Sequence, residues 1–342
     1  MITPGIDPNN DVFGFIHSQI ISLASKVDNL TIITLRPSKD VPSNVKVIPI
    51  KEGNRLSRFL SLNKAIFSAL RKEKFDLVYG HMYLEFSLIA IPYLKLFPTP
   101  LVIWYEHSST PLKLKIVHKF AKKVFSASKH GFRLPSNKSV VMGQCVDTSS
   151  FKPVKNKNPK EILSVSRLSR SKNIHTIINA IAKLNDKELK LTVVGSPPDE
   201  AGQKYLDELK ELAKKLNLDN QLTFTGFVNH NEVKNYYNKA SIFVNTSKTQ
   251  SLDKTGIEGM ASGMLLLASN PAYSEVLENY KHKDILTCSD DEIADKLAFL
   301  LKLPEKKKIE ISNDLRQIAI DGHSVEHLTS KMVEEFKKVI NS

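Results

Sequence analysis

An α/β fold of two doubly wound parallel-sheet domains is predicted by three features of this 342-residue sequence. Short β-branched runs alternate with helix-period segments along most of the chain, as parallel strands covered by helices require. The strand runs are apolar on both faces, which suits a sheet held between two helical layers. The length also exceeds one comfortable core, so two domains are favoured over one.

The elements follow in order. Met1 to Gly5 reads as the end of a first strand, and a poor central one, because Pro4 limits pairing. Strands are expected at 30–35, 45–50, 76–80 and 101–106, with two more near 123–127 and 139–142. Helices are expected at 13–25, 55–71, 83–94 and 112–122. Residues 151–160 are polar, basic and proline-containing, the composition of an interdomain linker. A second series places strands at 161–165, 189–194, 222–225, 242–244 and 264–268. Its helices fall at 174–184, 201–216, 232–240 and 255–262. A last helix, 325–340, carries Leu328, Met332, Phe336 and Val339 at helical spacing. The domains expected are therefore 1–153 and 154–324, with 325–342 crossing back to the first. Open α/β sheets bind ligands beyond the carboxyl ends of their strands, so the chemistry is expected in a cleft between the two domains.

Composition excludes several classes. An apolar fraction of 41% and a charged fraction of 25% are those of an ordinary globular protein. The apolar runs are too short to span a bilayer, and the start lacks the pattern of a secretory signal. Two cysteines, Cys145 and Cys288, make neither a disulfide framework nor a metal site. A cytoplasmic protein without metal is expected. The net charge of +13 is unevenly spread: residues 1–150 hold 20 Lys and Arg against 10 Asp and Glu. A basic first half suits an anionic partner, though solubility alone also explains it. No zinc finger, basic zipper or aromatic-basic signature points to specific nucleic-acid binding. An anionic membrane surface is preferred, because Lys113, Lys115, Lys119, Lys122 and Lys123 interleave with Leu112, Leu114, Ile116, Val117 and Phe120. Arg55, Arg58, Lys64, Arg71 and Lys72 offer a second basic stretch. Either could equally be a surface helix with its apolar face on the core. The location expected is cytoplasmic, peripheral on the inner face of the cell membrane.

Three segments carry candidate chemistry. After the strand 161–165, Arg167 and Lys172 stand five residues apart just before a helix. Two cations and a helix N-terminus suit a diphosphate, since Arg grips two oxygens and Lys acts as a point charge. The same residues could form a solvated basic loop. Next, the loop 250–254 leads into a helix bearing Glu258, whose carboxylate can accept two hydrogen bonds from ribose hydroxyls. Thr255 and Glu258 also have the spacing of a capping box. Finally, His107 ends the strand 101–106, where it could meet a sugar hydroxyl or remain an exposed loop histidine. His81 earns the same reading at the end of the strand 76–80.

Taken together, these segments resemble the retaining GT-B glycosyltransferases of family 4, also described as glycosyl transferases group 1. The resemblance rests on Arg167 and Lys172, then Leu191 to Gly195, Gly226-Phe227-Val228, Ala240 to Val244, and Glu258-Gly259-Met260-Ala261-Ser262-Gly263. The run Gly143 to Pro153 is similar to the family's segment at the end of its first domain. The resemblance implies the GT-B fold, two Rossmann-like domains facing a central cleft. It also implies a nucleotide diphosphate sugar as donor substrate, no cofactor, and a glycan or lipid-linked acceptor. Transfer of a hexose-type sugar with retention, independent of metal, is what it implies of the reaction. Catalytic roles fall to His107, Arg167, Lys172 and Gln250. Donor contacts fall to Gly14, Gly195, Gly226, Phe227, Val228, Ser251, Leu252, Asp253, Lys254 and Glu258, besides the two cations. Gln250 stands eight residues before Glu258, where the family carries a second glutamate, and Asp253 and Lys254 replace small residues. A nucleotide-sugar-binding scaffold with weak turnover and a GT-B sugar-nucleotide epimerase are the other readings.

Overall fold

The computed structural model describes residues 1–8, 16–107 and 109–342. The chain forms two compact units, Met1–Cys145 with Val325–Ser342, and Val146–Ser324. Each is a Rossmann-like unit built on an all-parallel sheet.

In the first unit the strands are β1 (Ile2–Gly5), β2 (Leu30–Arg36), β3 (Val45–Pro49), β4 (Val78–His81), β5 (Leu101–Trp104), β6 (Ala121–Ser126) and β7 (Ser139–Val141). Their spatial order is β3-β2-β1-β4-β5-β6-β7, so the winding reverses between β1 and β4. The first strand is therefore central, against the sequence expectation. It runs in register with β2 at Ile2, Thr3 and Gly5 but meets β4 only at Ile2. Pro4 has no N–H to lend, and one well-paired edge compensates for the other.

Helices α1 (Ile16–Ala24), α2 (Arg55–Lys72), α3 (Leu84–Leu96) and α4 (Leu112–Phe120) cover this sheet. Leu62 and Ile66 of α2, Ala90 and Ile91 of α3, and Leu114 and Val117 of α4 share one core with Ile33, Ile103 and Val124. Tyr79 and Phe125 alternate with Val78 and Val124 and so point to the opposite face. There their rings meet Phe336 of the chain's last helix at 5.6 and 5.7 Å. That helix, Val325–Ile340, buries Leu328, Met332, Phe336 and Val339 and pairs with α1 through Ser22 and Thr329 hydroxyls at 2.8 Å.

The second unit has β8 (Asn158–Val165), β9 (Lys190–Val194), β10 (Leu222–Phe224), β11 (Ala240–Asn245) and β12 (Leu265–Ala268) in the order β10-β9-β8-β11-β12. Here the winding reverses between β8 and β11. Its helices are α5 (Ile174–Leu184), α6 (Glu200–Lys215), α7 (His230–Lys239), α8 (Lys254–Ala261), α9 (Pro271–Val276), α10 (Lys283–Leu286), α11 (Ile293–Lys302) and α12 (Glu305–His323); the last helix of the chain is α13. The helices α9, α10 and α12 were not foreseen, although Asn270 capping Ala272 N–H and Pro271 at the first turn mark one start plainly.

Residues 146–153 pack with this second unit rather than closing the first. The Arg316 guanidinium of α12 donates to Phe151 O at 3.0 Å and to Ala261 O, and the Phe151 ring meets Tyr237 edge-on at 5.3 Å. The boundary thus falls after Cys145, before the polar stretch that composition marked as the linker.

Candidate functional site

Where the strand order of an open sheet reverses, neighbouring loops diverge and leave a crevice at the carboxyl edge. In the second unit that place is flanked by the loops after β8 and β11. The first carries Arg167 and Lys172, the second Gln250 to Asp253.

After β8 the ladder continues briefly, Ser166 N–H reaching Val194 O at 3.0 Å and Leu168 N–H reaching Ser196 O at 3.0 Å. A 3-10 turn over Arg170–Lys172 then passes through Asn173, left-handed at φ 57°, into α5. The turn is pinned from the β11 loop. Thr246 Oγ1 donates to the carbonyls of Lys172 and Asn173 at 3.0 and 3.1 Å, and Lys248 N–H donates to Ser171 O at 2.7 Å.

Asp290 adds a third anchor. Its carboxylate accepts from Asn173 Nδ2 at 2.8 Å, Ser269 Oγ at 2.6 Å and Lys248 Nζ at 2.5 Å. Burial pushes this carboxyl up, but the three donors outweigh it and hold the group below the usual carboxylate range. The acidic triplet 290–292 forms the first turn leading into α11, where Glu292 exchanges bonds with Ser289 in a capping box. Asp290 also ties the Lys172 turn to the ends of β11 and β12.

Lys172 Nζ lies 2.6 Å from Asp253 Oδ1 and 3.3 Å from Ser247 Oγ. The two charged side chains are 12% and 17% exposed. Asp253 is the N-cap of α8, yet its side chain caps nothing. Its other oxygen accepts from Asn245 Nδ2 at 3.1 Å, and its carbonyl accepts from the Tyr273 hydroxyl at 2.5 Å. Arg167 is exposed, and its side chain makes no hydrogen bond or ion pair among the described residues.

Glu258 lies in the second turn of α8, not the first, and is 3% exposed. The capping box with Thr255 does not form, because the helix starts at Lys254 and Thr255 is already inside it. The carboxylate instead accepts from the Tyr237 hydroxyl at 3.0 Å. Burial first, and the neighbouring Glu258 second, push the Tyr237 phenol well above its ordinary range, so it stays a donor. Tyr237 itself is wedged between Phe151 and Phe243.

The other expected residues are spread as follows. Gly195 and Gly226, at φ 136° and 72°, form a bridge beyond β9 and β10, with Gly195 N–H on Gly226 O at 3.0 Å. Phe227 is exposed and Val228 half-buried beside them. Gln250 is exposed in a left-handed conformation at φ 61°, Ser251 O accepts from Asn270 Nδ2 at 2.9 Å, and Lys254 opens α8. Leu252, between them, has its side chain buried in the core. Gly14 and the start of the predicted helix 13–25 lie outside the described residues.

His107 belongs to the first unit, past the end of β5. Its N–H donates to Gly131 O at 2.8 Å, and its Nδ1 accepts from Ser109 N–H at 3.0 Å. That bond assigns the proton of the neutral ring to Nε2, leaving a donor there. His81 is different. It is buried on β4, with Nδ1 3.3 Å from Thr3 Oγ1, and belongs to the core.

Asn245, Lys248, Tyr237 and Asp290 were missed. A signal existed for the first two: the apolar strand 240–244 breaks into Asn245-Thr246-Ser247-Lys248 at its carboxyl end, where site residues gather.

Arg167 and Lys172, the start of α8 and, one turn further on, the buried Glu258 thus follow the two strands, β8 and β11, between which the winding of a Rossmann-like sheet reverses, the edge where such sheets bind ligands. The profile of Glycosyl transferases group 1 matches residues 146–317, half of the chain, and the chain belongs to that family. Among curated relatives, alpha-monoglucosyldiacylglycerol synthase of Streptococcus pneumoniae is 30% identical over 180 residues, 52% of this chain and 38% of that protein. Mannosylfructose-phosphate synthase of Agrobacterium fabrum is 33% identical over 108 residues, 30% of this chain and 24% of the other. The match thus spans less than two fifths of either relative. Of solved structures, sucrose-phosphate synthase from Thermosynechococcus elongatus superposes with a TM-score of 0.78 at 17% identity, covering 99% of this chain and 98% of that one. Anabaena HepE, solved with UDP and glucose, gives 0.74 at 16% identity over 98% and 99% of the two chains. At such identities the likeness speaks for the fold.

Proposed function

We infer that this chain is a retaining, metal-independent glycosyltransferase that moves a hexose-type sugar from a nucleotide diphosphate sugar to a glycan or lipid-linked acceptor. The observation that carries the reading is the Lys172 turn, held by Thr246, Lys248 and Asp290 at the winding reversal beside the start of α8. As the bond from sugar to phosphate breaks, negative charge grows on the departing diphosphate. Arg167 and Lys172 meet that charge, so their effect rises toward the transition state and lowers the barrier. Glu258 accepts from the ribose hydroxyls, and Tyr237 orients it. Thermal melts with UDP-, GDP- and ADP-sugars test the reading, since a ligand of the folded state raises its stability. One base series should stabilise the protein and the other two should not; product analysis with acceptor then separates transfer from epimerisation or mere binding. A melt unmoved by every nucleotide sugar sinks it.

The acceptor side is proposed to dock on an anionic membrane. No helix among the described residues is long and apolar enough to cross one. Lys113 at the start of α4 pairs with Glu85 at the start of α3, and the Tyr93 hydroxyl of α3 donates to Asn63 midway along α2 at 2.7 Å. Leu114 and Val117 of α4 do face the core, as an ordinary surface helix would have them. Leu112 does not: it is 71% exposed, and Leu56 of α2 is 66% exposed, with Phe59, Leu60, Tyr83 and Ile116 also outside. Exposed apolar groups on the same helices as Arg55, Lys113, Lys115 and Lys119 suit insertion at a lipid surface. Replacing Leu56 and Phe59 by Asp should cut cosedimentation with phosphatidylglycerol vesicles more than about tenfold, because each buried side chain supplies roughly 1.5–3 kcal/mol. Equal binding of the variant and the parent would remove the surface from the account.

A further inference from the structure

Lys172, the cation assigned above to the donor diphosphate, already has an anion. Asp253 reaches it at 2.6 Å, and the pair is mostly withdrawn from water. The carboxylate has given up its local alternative, since an N-cap aspartate ordinarily accepts from the first N–H groups of its own helix. Here no such bond is made, because one oxygen is taken by Lys172 and the other by Asn245. The Tyr273 hydroxyl fixes the backbone of the same residue. Asp253 is thus held in place from three sides, while Arg167 stands exposed with no anion beside it among the described residues.

The geometry points to Asp253 as a resident counter-ion of Lys172: a specificity-determining carboxylate that an incoming nucleoside diphosphate must outcompete. This rests on the donor reading. A small monoanion arriving at Lys172 only exchanges one carboxylate-like partner for another and gains little. A diphosphate brings more than one charge and engages Arg167 as well, so it can offset the lost pair. Because Asn245 keeps the carboxylate nearby, Asp253 continues to repel the phosphates after they bind. The residue therefore lowers affinity for every anion at Lys172 and reserves the position for one that also satisfies Arg167.

The test is calorimetric titration of the parent, Asp253→Asn, Lys172→Met and the double variant with UDP, GDP and ADP. Asparagine keeps the shape and one acceptor oxygen but removes the charge. Asp253→Asn should bind its preferred diphosphate about tenfold more tightly, the scale of one charge-assisted bond. The gain should vanish in the Lys172→Met background, which isolates the pairwise effect. The unliganded variant should also melt lower than the parent, because Lys172 is left half-buried without an anion, and should recover more on adding nucleotide. Lys172→Met alone reports on the donor reading: parent binding that survives it unchanged sinks that reading, whatever Asp253 does. With that reading intact, an Asp253→Asn variant that is folded but binds the diphosphate no better, or binds none, overturns the counter-ion. Asp253→Ser serves as the second neutral variant should the asparagine form fail to fold.

Discussion

Lys172→Ala should lower turnover by about 10²–10³-fold, the loss expected when one donor aimed at developing charge is removed. The fold should survive. Lys172 sits in a 3-10 turn whose backbone is held by Thr246, Lys248 and Asn173 rather than by its own side chain. Removal of the ammonium does leave Asp253 beside Asn245 with one partner fewer, and a buried charge so stripped costs about 1–3 kcal/mol. A modest fall in melting temperature is therefore expected together with the kinetic loss. The two are separable, because the stability change acts equally on every substrate while the kinetic change falls on the chemical step. If Lys172 acts on the leaving diphosphate, kcat falls more than KM rises. An unchanged kcat with a raised KM would assign the residue to ground-state binding alone, and unchanged kinetics would remove it from the site. Arg167→Ala provides the comparison, since its exposed side chain has no partner to strand among the described residues.

Much of the architecture was legible because periodicity and capping act locally. The strands at 30–35, 45–50 and 139–142 and the helix 174–184 announce themselves by apolar spacing alone, and the structure places an element at each. What was illegible depended on partners distant in the chain. No local rule says that Asp290 faces Asn173 across 117 positions, or that Tyr237 will find Glu258. The acidic triplet 290–292 does stand at a helix start, but nothing local says that Asp290 also reaches Ser269 and Lys248. Likewise the Thr255-to-Glu258 spacing suggested a cap, but the helix began one residue earlier and turned the carboxylate inward. Pro4 misled in the other direction: its missing N–H did not exclude β1 from the centre of the sheet, because β2 supplies the pairing that β4 lacks. Asp253 shows the same limit most sharply. From sequence it was a charged substitute in a small-residue loop; only its distance to Lys172 makes it a counter-ion.

Gly195→Ala should destabilise the second unit on the order of 3–5 kcal/mol, the range reserved for backbone strain compounded by a hard clash. Gly195 has φ 136°, which L side chains rarely adopt, and a Cβ there would lie 1.9 Å from Ser166 O. The obstacle is backbone, so no rotamer change relieves it. Nor can the strand end shift freely. Ser166 N–H is bonded to Val194 O and Gly195 N–H to Gly226 O, so moving either chain breaks the continuation of the sheet at the edge that carries Arg167. Gly226→Ala separates strain from clash: its φ is 72° but nothing lies within 4 Å of the added carbon, so about 1 kcal/mol is expected there. Gly322→Ala, with an ordinary φ in α12 and open space around it, should be neutral or slightly stabilising. Urea unfolding of the three variants reads the order directly. A Gly195→Ala protein as stable as the Gly322→Ala form would mean that the loops after β8 and β9 are not locked together, and the rigid turn on which Arg167 and Lys172 depend would go with them.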